Sequence, residues 1–384
     1  MKPVESAVTT GYLTWYKDLE VKLYGSTVDH VLLSSAVSEP TYLLRQHLQQ
    51  YQEQHLPERL EVPNAWGHPA LIKSIAVRYG VEEQRIATAN GVSNGIYLLC
   101  RALLASNDHV VIESPVYDPL VAAVDIVGSR ITYVTRKPPQ YLIDPDDLRR
   151  AVRSDTALLL ISNLHNPSGA LLTDEQLMEL ASVAQRINPA IRIAVDEVYH
   201  DFAHGAQAPA ATLGDCFISL NGLTKVYGLG CLHTGWILAE PSIIDKIKRV
   251  RLVVEGSGAK LLEGLASFII ENLDTYLDRA MKLVSVNRQV LSQFLSPIVK
   301  DGLLSGDIPR YGCIFFPEVT RRNDTGTLSR ELAEKHLVHV VPGDFFGSPG
   351  HIRIGFGGHT EKLQTSLEKL AHGLYLLIKQ VDNS

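Results

Sequence analysis

A chain of 384 residues, 45% hydrophobic and 20% charged, carries enough apolar material for a large buried core and the length of two or three structural units. A formal net charge of -6 leaves no basic stripe for nucleic acid, so polyanion binding is not expected. No stretch reaches the apolar length of a membrane span, the N-terminus lacks the apolar run of a secretory signal, and Cys100, Cys216, Cys231 and Cys313 are far apart with no CxxC pair; these features argue against a zinc site or disulfide scaffold and for the cytoplasm.

Residues 1–45 mix aromatic residues (Tyr12, Trp15, Tyr16, Tyr24, Tyr42) with polar ones at weak periodicity, the pattern of an arm that packs on a partner or over a cleft. Leu44, Leu48 and Tyr51 recur at helical spacing over 43–55, and the pattern returns over 69–79 behind Pro69. Between 86 and 200, strand and helix signals alternate as in a mostly parallel α/β sheet. There, 86–89 reads as a strand, 96–104 as an apolar helix, 109–113 as a buried strand closed by Ser114 and Pro115, and 131–134 as a further strand. An uninterrupted apolar strand is expected over 158–162, and Thr173 with Gln176 has the spacing of a capping box. A strand over 191–195 runs directly into Asp196. Polar residues recur at these strand ends, and in open α/β sheets ligands bind beyond the carboxyl ends of the strands.

From 219 to 236 the chain sets one lysine, Lys225, in an apolar turn broken by Gly222, Gly228, Gly230 and Gly235. Such glycines suit a backbone that turns sharply and lies close to a ligand. A solvated ammonium is unreactive, whereas a partly desolvated one loses its proton more easily and forms a Schiff base with a carbonyl. A helical region over 241–294 is expected to link two lobes, the second a smaller α+β unit with strands at 313–316, 339–341 and 352–356 and a closing helix at 361–379. The expected division is an arm with part of the small domain (1–45), a large domain (46–285) and a small C-terminal domain (286–384), with no internal repeat.

Five motifs stand in order: Gly91, Val92, Ser93, Asn94, Gly95; Ser114, Pro115, Val116, Tyr117; Asn166, Pro167, Ser168, Gly169; Asp196, Glu197, Val198, Tyr199; and Thr224 and Lys225 with Gly235 and Trp236. With Arg353 after them, they resemble the fold type I pyridoxal 5'-phosphate enzymes, the aminotransferase class I/II superfamily, over about residues 40–375. The resemblance implies an α/β fold with a mostly parallel central sheet in a large domain, a smaller α+β domain, pyridoxal 5'-phosphate as cofactor, an amino acid as small-molecule substrate, no metal, and a homodimer. It implies that Lys225 is the catalytic amine and that Asp196 keeps the pyridine nitrogen protonated, making the ring an electron sink. Tyr199 and Asn166 would donate hydrogen bonds to the ring's phenolate oxygen, and Tyr117 would stack on its face. Backbone amides of Gly91, Val92, Ser93 and Asn94 would hold the phosphate at a helix start, with the Ser93 hydroxyl added. Thr224 and His233 complete the expected cofactor set, while Arg353, Asn166, Trp15 and His30 form the expected substrate set, Arg353 gripping an α-carboxylate.

Departures from the family pattern cluster around the phosphate. His233 stands where an arginine is usual eight residues after the lysine, Gly222 where a serine or threonine is usual, Cys231 where a glycine is usual, and Val62 where a tyrosine often reaches a neighbouring subunit's phosphate. A finer resemblance, through Trp15, Tyr16, residues 33–37, the run after Thr224 and residues 341–347, looks like the group containing capreomycidine synthase and related enzymes that act on arginine derivatives. Transamination is therefore one expectation, and elimination with ring closure of a hydroxylated arginine another. A non-catalytic binding protein is the third, and retention of Lys225 argues against it.

Overall fold

Eight strands form the central sheet of the computed structural model, which describes residues 11–24, 31–56, 61–204 and 208–379. They are β1 (Ile86–Ala89), β2 (His109–Ser114), β3 (Arg130–Lys137), β4 (Leu142–Ile143), β5 (Thr156–Ser162), β6 (Arg192–Asp196), β7 (Phe217–Gly222) and β8 (Gly235–Leu238), in the order β1-β8-β7-β6-β5-β2-β3-β4. The pairs from β3 through β2, β5 and β6 to β7 are parallel, and β8 is antiparallel to both β7 and β1. The unbroken apolar runs follow from burial on both faces. Val110, Ile112, Leu158 and Leu160 enter the core on one side of the sheet, and Val111, Leu159 and Ile161 the core on the other.

In chain order the helices that pack around this sheet begin with α1 (Gly11–Leu23), α2 (Thr41–Gln54), α3 (Pro69–Tyr79) and α4 (Gly91–Leu103). Helix α4 starts at Gly91, directly after β1, and not near Ile96; the polar first turn hides this start from a reading based on apolar spacing. Next come α5 (Asp118–Val127), α6 (Pro145–Ala151) and α7 (Asp174–Ile187). The expected capping box on α7 forms, with Gln176 N donating to Thr173 Oγ1 and Thr173 N to Gln176 Oε1.

The region 241–294 is three helices instead of one: α8 (Pro241–Glu255), α9 (Lys260–Glu271) and α10 (Leu273–Lys300). Gly256 ends the first at φ 67°, a left-handed conformation that glycine adopts without strain. The expected domain division at 285 falls inside α10. Beyond it, β9 (Leu304–Ser305) pairs with β11 (Glu318–Val319), and β10 (Ile314–Phe315), β13 (Ile352–Gly355) and β12 (Val341–Pro342) make a small antiparallel sheet. Helices α11 (Thr325–His336) and α12 (Thr360–Lys379) cover it. Among the described residues no helix is long and apolar enough to cross a membrane.

Candidate active site

The parallel strands β5, β6 and β7 end side by side, with Ser162 opposite Asp196 and Asp196 opposite Leu220. Asp196, the last residue of β6, is 5% exposed, and its Oδ1 accepts from Val198 N at 3.2 Å. Burial pushes its carboxyl up to about 7 against the pull of that amide. Lys225 lies in the turn after β7, and its carbonyl accepts from Val37 N at 3.0 Å. Its Nζ donates to Ser35 Oγ at 3.0 Å. Burial, with the Arg353 charge nearby, lowers the Lys225 ammonium to about 8, while Cys313 and Asp196 act in the opposite sense. Tyr199, in the turn after β6, is 2% exposed, and its hydroxyl, beside the Ser35 side chain, makes no hydrogen bond of good geometry among the described residues.

Beneath these groups lies a fully buried ion pair. Arg136 Nε donates to Glu113 Oε2 at 2.7 Å, and Arg136 Nη2 donates to the Ser162 carbonyl at 2.9 Å. The other Glu113 oxygen accepts from Ser162 N at 2.7 Å and from the Ser162 hydroxyl, which in turn accepts from Asn166 N at 3.2 Å. The pair thus locks the end of β5 and, through the Ser162 hydroxyl, the turn that carries Asn166.

Arg353, in β13 of the small sheet, crosses to the large one. Its Nη1 donates to Asn166 Oδ1 at 3.1 Å, and its Nη2 donates to the Tyr12 hydroxyl at 2.8 Å and the Leu33 carbonyl at 3.2 Å. The side chain is 0% exposed, its Nε is unpartnered, and no carboxylate of the described residues pairs with it. A buried guanidinium surrounded by neutral acceptors has lost its hydration without gaining a counter-charge, so it is primed for an anion.

The N-terminus of α4 forms the other end of the cluster. Gly91 takes φ 77°, and the Asn94 side chain accepts from Asn90 N at 3.2 Å. His233, itself left-handed at φ 47°, sets Nδ1 3.2 Å from the Asn90 carbonyl. A Cβ on Gly235 would lie 2.8 Å from the Gly91 carbonyl carbon, and one on Gly222 would lie 2.8 Å from the Thr234 carbonyl oxygen. The close approach of β8 to β7 and α4 therefore excludes a serine at 222. The half-buried Val92 packs its methyl toward Gly222, while Ser93 is exposed in the first turn and Thr224 makes no side-chain hydrogen bond among the described residues.

Sequence reading did not anticipate β7 and β8, the strands that bracket Lys225, nor Ser35 and Tyr12. Helix α1 lies over this chain's own cleft, with Tyr12 edge-on to Tyr117 at 5.9 Å between ring centres and 5.7 Å from Phe346. Trp15 packs on Phe345 at 5.0 Å, one ring removed from Arg353. The i, i+3, i+4 spacing of Tyr12, Trp15 and Tyr16 was the available signal for one helical face. His30 lies outside the described residues.

This donor set fits pyridoxal 5'-phosphate. The orphaned Tyr199 hydroxyl suits an oxyanion, the buried Asp196 carboxyl suits a cationic ring nitrogen, and the α4 N-terminus suits a phosphate.

Residues 36–370 match the family described as aminotransferase class I and II. The chain is 27% identical over 296 residues to capreomycidine synthase of Streptomyces vinaceus, covering 75% of this chain and 74% of that protein. It is 26% identical over 369 residues to aromatic-amino-acid aminotransferase 2 of Thermococcus litoralis, covering 88% and 90%. Among solved structures, a PLP-dependent aminotransferase from Streptococcus suis superposes with a TM-score of 0.85 at 24% identity, over 98% of this chain and 99% of that one.

Proposed function

The chain belongs to the family of class I and II aminotransferases, and from that premise we propose that Lys225, Asp196, Asn166, Tyr199 and Arg353 carry out its reaction as the working groups of one cleft. The protein is an enzyme that uses pyridoxal 5'-phosphate, and its activity is that of an aminotransferase. When bound, the cofactor supplies an aldehyde for an amine and a ring that withdraws electrons from the substrate's α-carbon.

The chain's own residues do the rest. Lys225, with an ammonium lowered to about 8, attaches the cofactor and, once released, carries the proton from the α-carbon. Asp196 holds the ring nitrogen's proton, and Asn166 and Tyr199 donate to the ring oxygen. Tyr117 would lie against the ring face. The amides of Gly91, Val92, Ser93 and Asn94 would hold the phosphate, with the Ser93 and Thr224 hydroxyls and His233 at its rim. Arg353 binds the α-carboxylate, and Trp15 borders the side-chain pocket. The observation that carries this reading is the fully buried Arg353 with no anionic partner among the described residues.

The likeness to capreomycidine synthase favours a second reading, loss of water and ring closure on a hydroxylated arginine. Incubating the enzyme with cofactor, a 2-oxo acid and each of the twenty amino acids or hydroxyarginines, then weighing the products, separates the two. A new oxo acid and a new amino acid mean transfer; loss of water with all nitrogen retained means cyclisation.

Exposed apolar side chains on α3, α8 and α9, among them Val77, Val253 and Leu261, support a homodimer. The four free cysteines suit the cytoplasm.

A further inference from the structure

We infer that Tyr12, on α1, is a ligand for the substrate's carboxylate and acts as its placeholder when no substrate is bound. This rests on the reading of Arg353 as the carboxylate site. An arginine has five N–H donors, two on each terminal nitrogen and one on Nε. Both hydrogens of Nη2 are committed, one to the Tyr12 hydroxyl at 2.8 Å and one to the Leu33 carbonyl at 3.2 Å. One hydrogen of Nη1 goes to Asn166 Oδ1, and Nε–H has no partner. Two-pronged binding of a carboxylate uses either the Nε and Nη2 edge or the Nη1 and Nη2 edge, so in both cases it needs a hydrogen of Nη2. One of the two present acceptors must yield.

Leu33 belongs to a short 3₁₀ turn, and its carbonyl moves only with the backbone, whereas the Tyr12 hydroxyl moves with a side chain. Tyr12 is 4% exposed and its ring is enclosed by Tyr117, Phe345 and Phe346. Because its oxygen accepts from Arg353, its own hydrogen points away from the guanidinium, and no acceptor among the described residues takes it. A carboxylate that replaces the phenol on Nη2 brings an anionic oxygen to that hydrogen. The phenol then donates to the carboxylate and remains in the cluster. Helix α1, whose N-terminal amides at Tyr12 and Leu13 face the Asp118 carboxylate, thus already covers the cleft and keeps for a carboxylate a donor that a neutral group has no charge to meet.

The test compares Tyr12→Phe, which keeps the ring packing, with wild type and Arg353→Gln as holoenzymes. Binding is read from the cofactor's absorbance for two matched pairs, L-phenylalanine with phenethylamine and L-arginine with agmatine, each amine being the amino acid without its carboxylate. Tyr12→Phe weakens the amino acids by about 10-fold or more, the loss of a hydrogen bond to a charged group, and leaves the amines within about 2-fold. Equal weakening of acid and amine, or no weakening of either, overturns the inference. If Arg353→Gln removes the preference for the acids and Tyr12→Phe does not, Tyr12 alone loses its role. If Arg353→Gln also leaves that preference intact, the carboxylate site itself is elsewhere.

Discussion

His233 holds the Asn90 carbonyl at 3.2 Å through Nδ1, and because a carbonyl only accepts, Nδ1 must carry the hydrogen. In the neutral ring Nε2 is then a bare lone pair, a poor neighbour for a phosphate; only the protonated ring has an Nε2–H to give. A guanidinium at this place would donate at every working pH. His233→Arg is therefore expected to tighten cofactor binding. Fluorescence titration of the apoenzyme with cofactor checks this; an affinity unchanged in His233→Arg would remove His233 from the phosphate site.

Asp196 titrates near 7 because burial disfavours its charge. A carboxyl raised above its unfolded value contributes stability that is complete below about 3.8 and is lost as pH rises through about 7. The melting temperature of the apoenzyme should decline over that window, and Asp196→Asn should remove that part of the decline. Lys225, lowered from 10.5 to about 8, acts with the opposite slope: its contribution is present above about 10.5 and lost as pH falls through about 8. Lys225→Met should therefore raise the melting temperature of the apoenzyme at pH 7. Bound cofactor, by giving Asp196 a cationic partner, should erase most of its slope.

The Glu113–Arg136 pair has both side chains at 0% exposure. Removing one partner leaves the other charge buried and unpaired, so Arg136→Met should cost about 3–5 kcal/mol. The double variant Glu113→Leu with Arg136→Met should recover part of that. Urea unfolding measures both, and a single variant as stable as wild type would mean water reaches the pair.

Gly235 has no room for a methyl group, since its Cβ would meet Gly91 at 2.8 Å and Val92 N at 3.0 Å. Gly235→Ala should push the start of α4 away from β8, costing about 1–3 kcal/mol by overpacking and weakening cofactor more than it weakens the fold. Cofactor binding compared with melting temperature separates the two effects.

The central strands were legible because they are buried on both faces: Val110 to Ile112 and Leu158 to Ile161 leave no polar position to confuse the pattern. Strand β7 was not, because its buried Ser219 and Asn221 are polar residues whose partners, Ala211 N and Gly222 N, cannot be read from spacing. The first break in 241–294, between α8 and α9, is written in Gly256 and Gly258, whereas the second, at Asn272, carries no glycine or proline to mark it. The meeting of Arg353 with Asn166, 187 residues away, had no local signal, and only the resemblance to a known family suggested that the two serve one cleft. Tyr12 lay outside every motif, in a helix whose apolar face is aromatic rings over a cleft instead of aliphatic side chains in a core.

The most direct test of the account is chemical. The apoenzyme is loaded with pyridoxal 5'-phosphate, reduced with borohydride, digested and mapped by mass, with turnover of Lys225→Ala assayed beside it. The cofactor's mass is expected on the peptide that contains Lys225, with no turnover in the variant. A label fixed on another lysine, or a Lys225→Ala variant that turns over at the wild-type rate, would contradict it.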